Sequence, residues 1–161
     1  MSLPRQLVLS FEPGANFSRD DFLEGPSNAM ALRLVERWPD WPARVVAIVG
    51  PEGSGKSHLA DIWANRTGAR RLSAWALDQT AVPRALATGA LALENVAEPL
   101  DEVALFHLLN LAKEDDATVL LTARQPPAQW AIRLPDLVSR LRALPVVELA
   151  APDDTLLRAT R

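Results

Sequence analysis

The chain is predicted to fold in three layers, an α/β arrangement with a mostly parallel five-stranded sheet between helices. Three observations carry that prediction. Short apolar runs alternate along the chain with stretches of helical character, the rhythm of strand–helix–strand units. The run at 44–49, RVVAIV, is apolar at nearly every position instead of at every second one, as a strand covered on both faces requires. A glycine-rich stretch then joins that strand to a helical segment, which is a turn with special backbone needs.

The elements follow in order. Residues 1–12 contain one apolar stretch, from Leu7 to Phe11, and a turn-rich segment leads from it to residue 28. Ser27 or Asn28 is placed to cap a helix over 29–38. Residues 39–42, PDWP, break that helix because proline cannot continue it. After the strand at 44–49 comes a helix over 56–64 that stops near Gly68. A strand at 71–76 and a short helix at 81–87 follow. Residues 90–96, ALALENV, read as a strand, and 101–113 as a helix with Asp101 in its first turn. TVLLT at 118–122 is another strand. Pro135 suits the first turn of a helix over 135–142, and PVVEL at 145–149 is the last strand. Residues 151–161 open one more helix.

Composition narrows the function classes. With 161 residues and 48% hydrophobic content, the chain can build one core of ordinary size. Its net charge of -3 argues against a protein that coats DNA, where a basic excess is the usual footprint. Cysteine is absent, which excludes a disulfide framework, a cysteine zinc site and a thiol nucleophile. Two histidines are too few for a His-rich metal site. No apolar run approaches the ~20 residues of a membrane span, and no signal-peptide pattern is seen. A cytoplasmic protein without a membrane partner is expected.

The glycine-rich stretch carries the chemistry. Gly50, Pro51, Glu52, Gly53, Ser54, Gly55, Lys56 and Ser57 satisfy G-x-x-x-x-G-K-[ST] at every specified position. Gly53 and Gly55 allow backbone conformations in which several N–H groups face one anion, and the next helix points its positive end at the same place. Lys56 reaches the β- and γ-phosphates, Ser57 offers a hydroxyl to Mg²⁺, and His58 follows on the helix. The motif implies a nucleoside triphosphate site. At the end of the 90–96 strand, Glu94 is the candidate carboxylate for Mg²⁺, partly through water. Asn95 stands where a water-activating acid is often found. An amide orients water but cannot take its proton, so weak intrinsic hydrolysis is expected.

Taken together, these motifs resemble the AAA+ domain of the bacterial replication initiator DnaA, and within that family its regulatory relative of the Hda type. The resemblance rests on FLEGPSN at 22–28, GPEGSGKSHLA at 50–60, Glu94-Asn95, Phe106-His107 through Asn110, LTARQPP at 121–127 and LPDLVSRL at 134–141. It implies the base domain of a P-loop NTPase over 13–150, with ADP or ATP and Mg²⁺ as ligands. It implies that Arg140 is an arginine finger acting in trans on a neighbour's ATP, although Arg133 and Arg142 lie nearby. QLVLSF at 6–11 is similar to the peptide that docks on the polymerase III β sliding clamp, through Gln6, Leu7, Leu9 and Phe11. Read alone, the same segment fits an added β-strand equally well.

The implied function is regulation of initiation: docking on the clamp and stimulating hydrolysis of DnaA-bound ATP. Some homo-oligomeric assembly and no direct sequence-specific DNA binding are expected with it. Three departures from the family pattern stand out. Glu94 replaces an aspartate, Arg124 occupies the place of a sensor carboxylate, and residues 151–161 are only the start of a helical lid, which is missing from the sequence. Two other readings remain open: a self-sufficient P-loop ATPase, and a clamp-binding adaptor that binds no nucleotide. His107 reads as structural. Trp38 or Trp41 is a candidate neighbour of the adenine.

Overall fold

A computed structural model of the protein describes residues 28–150. It contains α1 (Ala29–Arg37), β1 (Val45–Val49), α2 (Lys56–Thr67), β2 (Arg70–Ser73), α3 (Val82–Ala85), β3 (Ala90–Glu94), α4 (Glu102–Glu114), β4 (Thr118–Ala123), α5 (Pro135–Arg142) and β5 (Val146–Glu148). The strands form one sheet in the order β2-β3-β4-β1-β5, and all four pairings are parallel. All carboxyl ends therefore lie along one edge of the sheet, where α/β folds place their ligands.

The unalternating run in β1 is explained by cover on both faces. Val45, Ala47 and Val49 pack with Leu91, Leu93, Val119 and Leu121 beneath α3, α4 and α5. Val46 and Ile48 pack with Ala92 and Leu120 beneath α1 and α2, around Leu32, Leu59 and Trp63. All five β1 residues are buried. Each large aliphatic side chain so buried contributes about 1.5–3 kcal/mol relative to exposure.

Element ends differ from the sequence expectation where local chemistry decides them. β2 stops at Ser73 because residues Ala74–Ala76 form a 3-10 turn, which buries Ala74 and leaves Trp75 81% exposed. β3 stops at Glu94 because Asn95 adopts φ 61°, a left-handed conformation that asparagine tolerates better than most residues. α2 runs on to Thr67 and ends at Gly68, whose φ of 75° suits glycine. α4 is capped by Asp101, whose carboxylate accepts the Ala104 N–H at 2.9 Å.

Candidate functional site

The carboxyl ends of β1, β3 and β4 surround the glycine-rich loop. The loop is tied to the sheet by the Gly50 N–H, which donates to the Ala123 carbonyl at 3.0 Å. A Cβ on Gly50 would stand 2.8 Å from both the Leu149 carbonyl oxygen and Ser54 Oγ, so no larger residue fits without moving backbone. Gly55 takes φ 104° immediately before α2, a value that side chains oppose. The motif glycines thus answer two separate needs, close approach and left-handed backbone.

Beside the loop lies a cleft of 520 Å³, lined by Glu52, Gly53, Gly55, Lys56, Ser57 and His58, with Asn95 from the end of β3 and Arg124 from the end of β4. Lys56 opens α2 and is 8% exposed. Its ammonium donates to the Gly50 carbonyl at 2.6 Å and the Pro51 carbonyl at 3.0 Å. Burial lowers the Lys56 pKa from its ordinary value; the charge of Arg124 lowers it further and Glu52 partly restores it. Arg124 Nη2 donates to Glu52 Oε1 across the cleft mouth. Ser54 Oγ is buried and has no hydrogen-bond partner in the structure. Ser54 does not line the cleft, but a cation and a helix N-terminus on one loop fit an oxyanion with several acceptor oxygens.

The other predicted site residues are only partly brought together. Asn95 lines the cleft, its N–H donating to Thr122 Oγ1 at 3.1 Å while Val96 N–H donates to the Thr122 carbonyl at 2.9 Å. Thr122 was missed as a positioning residue; the signal was a polar side chain at the end of the buried TVLLT run. Glu94 does not line the cleft. Both its oxygens are taken by Arg71, from Nε at 2.8 Å and Nη2 at 3.0 Å, and Arg71 Nη1 also donates to Asp61 on α2. A one-residue step along β3 carries Glu94 to the α2 side, and cross-strand pairing to β2 supplies its partner.

Arg140 also lies apart from the cleft lining. It sits in α5, with Nη1 donating to Asn110 Oδ1 at 2.5 Å and its guanidinium carbon 5.8 Å from the centre of the Phe106 ring. Neither Trp38 nor Trp41 lines the cleft. Trp41 stacks on Trp63 at 5.2 Å, and Trp38 meets Trp63 edge-on at 6.4 Å. Trp38 Nε1 donates to Thr118 Oγ1, at the opposite end of β4 from the loop. His107 is exposed on α4. Among the described residues no group of three or more His, Asp or Glu is arranged to hold a metal, and no helix is long and apolar enough to cross a membrane. Gln6, Leu7, Leu9 and Phe11, and residues 151–161, lie outside the described residues.

No family model and no curated protein matches the sequence. Solved structures do match in fold. A DNA replication initiation factor aligns with TM-score 0.73 at 20% identity, over 89% of this chain and 52% of its own. Domain III of DnaA from Thermotoga maritima aligns with TM-score 0.69 at 18% identity, over 87% of this chain and 69% of that one. AMPPCP-bound DnaA from Aquifex aeolicus aligns with TM-score 0.65 at 21% identity, over 83% of this chain and 50% of that one. The chain spans about half the length of the first and third of these. Its all-parallel five-stranded sheet with flanking helices is the AAA+ base-like α/β fold of DnaA domain III.

Proposed function

We propose that the protein is a nucleotide-binding AAA+ relative of DnaA, of the Hda type, which docks on the polymerase III sliding clamp and stimulates hydrolysis of DnaA-bound ATP. The observation that carries the nucleotide reading is the loop itself. Lys56, Ser57 and the start of α2 line a cleft whose backbone is shaped by glycines at the positions the motif specifies. The ligand of the Aquifex DnaA, AMPPCP, supports an adenine nucleotide, ATP or ADP. Mg²⁺ would neutralise phosphate charge, and Ser57 is the hydroxyl available to hold it, since Glu94 is engaged by Arg71.

The residues around the cleft favour binding over turnover. Asn95 orients a water but accepts no proton from it, so an attacking water gains no general base from this position. A protein with this cleft holds nucleotide as a conformational brace and acts on a partner's nucleotide instead. Arg140 suits that second role because its guanidinium is held by Asn110 and Phe106, so little freedom is lost when it meets a phosphoryl group. An arginine so supplied is worth roughly 10³–10⁵ in rate in well-studied phosphoryl transfers.

The test has three arms on the full chain. Calorimetry should show ATP or ADP binding that Lys56→Ala abolishes. Purified β clamp should be retained by wild type and lost with Gln6→Ala plus Leu7→Ala. Hydrolysis of DnaA-bound ATP on loaded clamp should rise with wild type but not with Arg140→Ala. Equal clamp retention by the double variant, or unchanged DnaA hydrolysis with wild type, would sink the regulatory reading. Fast single-turnover hydrolysis by the protein alone would favour a self-sufficient ATPase.

A further inference from the structure

Magnesium that accompanies phosphates is usually held by one or two carboxylates, with phosphate oxygens and water completing its shell. The carboxylates around this cleft are already engaged. Arg71 Nε and Nη2 donate to the two oxygens of Glu94 at 2.8 and 3.0 Å, and Arg71 Nη1 donates to Asp61 on α2. Both acidic side chains are shielded, at 13% and 7% exposure, so water competes poorly for them. Glu52 on the loop is met by Arg124. Of the Lys, Arg, Asp and Glu side chains that line the cleft, Arg124 and Glu52 offset each other and Lys56 remains. Its ammonium stands at the start of α2, where the helix adds its own positive end.

We infer that the cleft takes ATP or ADP equally well without a divalent cation, because Arg71 neutralises Glu94 in the cation's place. This rests on the nucleotide reading above. The reason is charge. Glu94 is one residue from Asn95, which lines the cleft, and an unpaired carboxylate there would repel a phosphate chain. A metal ion between the two would relieve that repulsion. Here the relief is built into the sheet: β2 lies parallel to β3, with Ser73 opposite Glu94 and Arg71 two residues before it. The neutralising charge is therefore fixed by register and is not recruited from solution. Ser57 supplies one uncharged oxygen, so a metal carried in by the nucleotide gains little from the protein.

Calorimetric titration of the full chain with ATP and ADP, in excess Mg²⁺ and in EDTA, tests this. Wild-type affinity in EDTA should stay within about threefold of that in Mg²⁺, the scale of screening between exposed charges, or exceed it. Arg71→Gln should create a metal requirement. With Glu94 released, EDTA should weaken ATP by about tenfold or more, the scale of losing a partner at a metal site. Arg71→Lys keeps a cation against Glu94 and should remain indifferent to EDTA, although its grip is poorer. Circular dichroism establishes that both variants are folded, and if Arg71→Gln is not, the wild type and Arg71→Lys still decide. Weakening of wild type by about tenfold in EDTA would overturn the inference and leave the nucleotide reading standing. Indifference of folded Arg71→Gln to EDTA would overturn the part given to Arg71. If wild type binds neither nucleotide in either buffer, both ideas fall.

Discussion

Two arginine–carboxylate pairs stand along the carboxyl edge of the sheet, and they behave oppositely. At the β2–β3 side, Arg71 grips both oxygens of Glu94 and also reaches Asp61, with the carboxylate side chains only 13% and 7% exposed. At the loop, Arg124 meets Glu52 through a single contact in solvent. The first is multiply hydrogen-bonded and shielded from water, so its charges cannot be released cheaply. The second is open to competition from any anion that enters. Similar residue types thus give a fixed brace at one place and an exchangeable contact at the other.

The strongest way to break the comparison is Arg71→Ala. Removing the guanidinium from two shielded carboxylates should cost about 2–4 kcal/mol, discounted from the full buried-pair cost because Arg71 is itself 35% exposed. Urea unfolding measures it, and a loss below about 0.5 kcal/mol would place this brace in the same class as the loop pair. Arg124→Ala in the same assay should fall within that smaller range.

Gly50→Ala is next in size. Its Cβ would press on the Leu149 backbone and Ser54, so a destabilisation of about 1–3 kcal/mol is expected, together with weaker phosphate binding. Unchanged melting and binding would mean that the loop is as yielding as the side chains above it.

The smallest effect is a pH dependence. Burial and Arg124 lower the Lys56 pKa below 10.5, so just under that value the unfolded chain binds more protons than the folded one. This contribution to stability therefore rises with pH across the window between the lowered and ordinary pKa. Phosphate affinity moves the other way, falling as Lys56 loses its charge. Glu52→Gln should bring that fall to lower pH and Arg124→Ala should delay it, because Glu52 raises the Lys56 pKa and Arg124 lowers it. Titrations with tripolyphosphate at several alkaline pH values check both directions.

Much of the fold was legible because its signals are local. RVVAIV announces a doubly covered strand, Gly68 and Pro135 mark helix ends, and the loop motif states its own backbone demands. Boundaries were less legible where one residue's packing decided them, as at Ala74 and Asn95. The site divides in the same way. Lys56, Ser57 and Asn95 were readable from spacing and do line the cleft. Glu94 was assigned from the chemistry of its neighbours in sequence, and its direction was set by a strand beside it. The surroundings of the tryptophans were illegible for the same reason: Trp38 and Trp41 both meet Trp63, and Trp38 also donates to Thr118, partners distant in sequence.

By itself, then, the sequence determined the strand–loop–helix unit and its phosphate chemistry, since glycine spacing and a lysine act through the backbone next to them. Only the tertiary structure decided which charges oppose one another. Parallel pairing set β2 beside β3 and gave Glu94 to Arg71, while the end of β4 brought Arg124 over the loop to Glu52, contacts between residues 23 and 72 positions apart. Ion pairs across such separations follow from strand order and register, and no local pattern of residues encodes them.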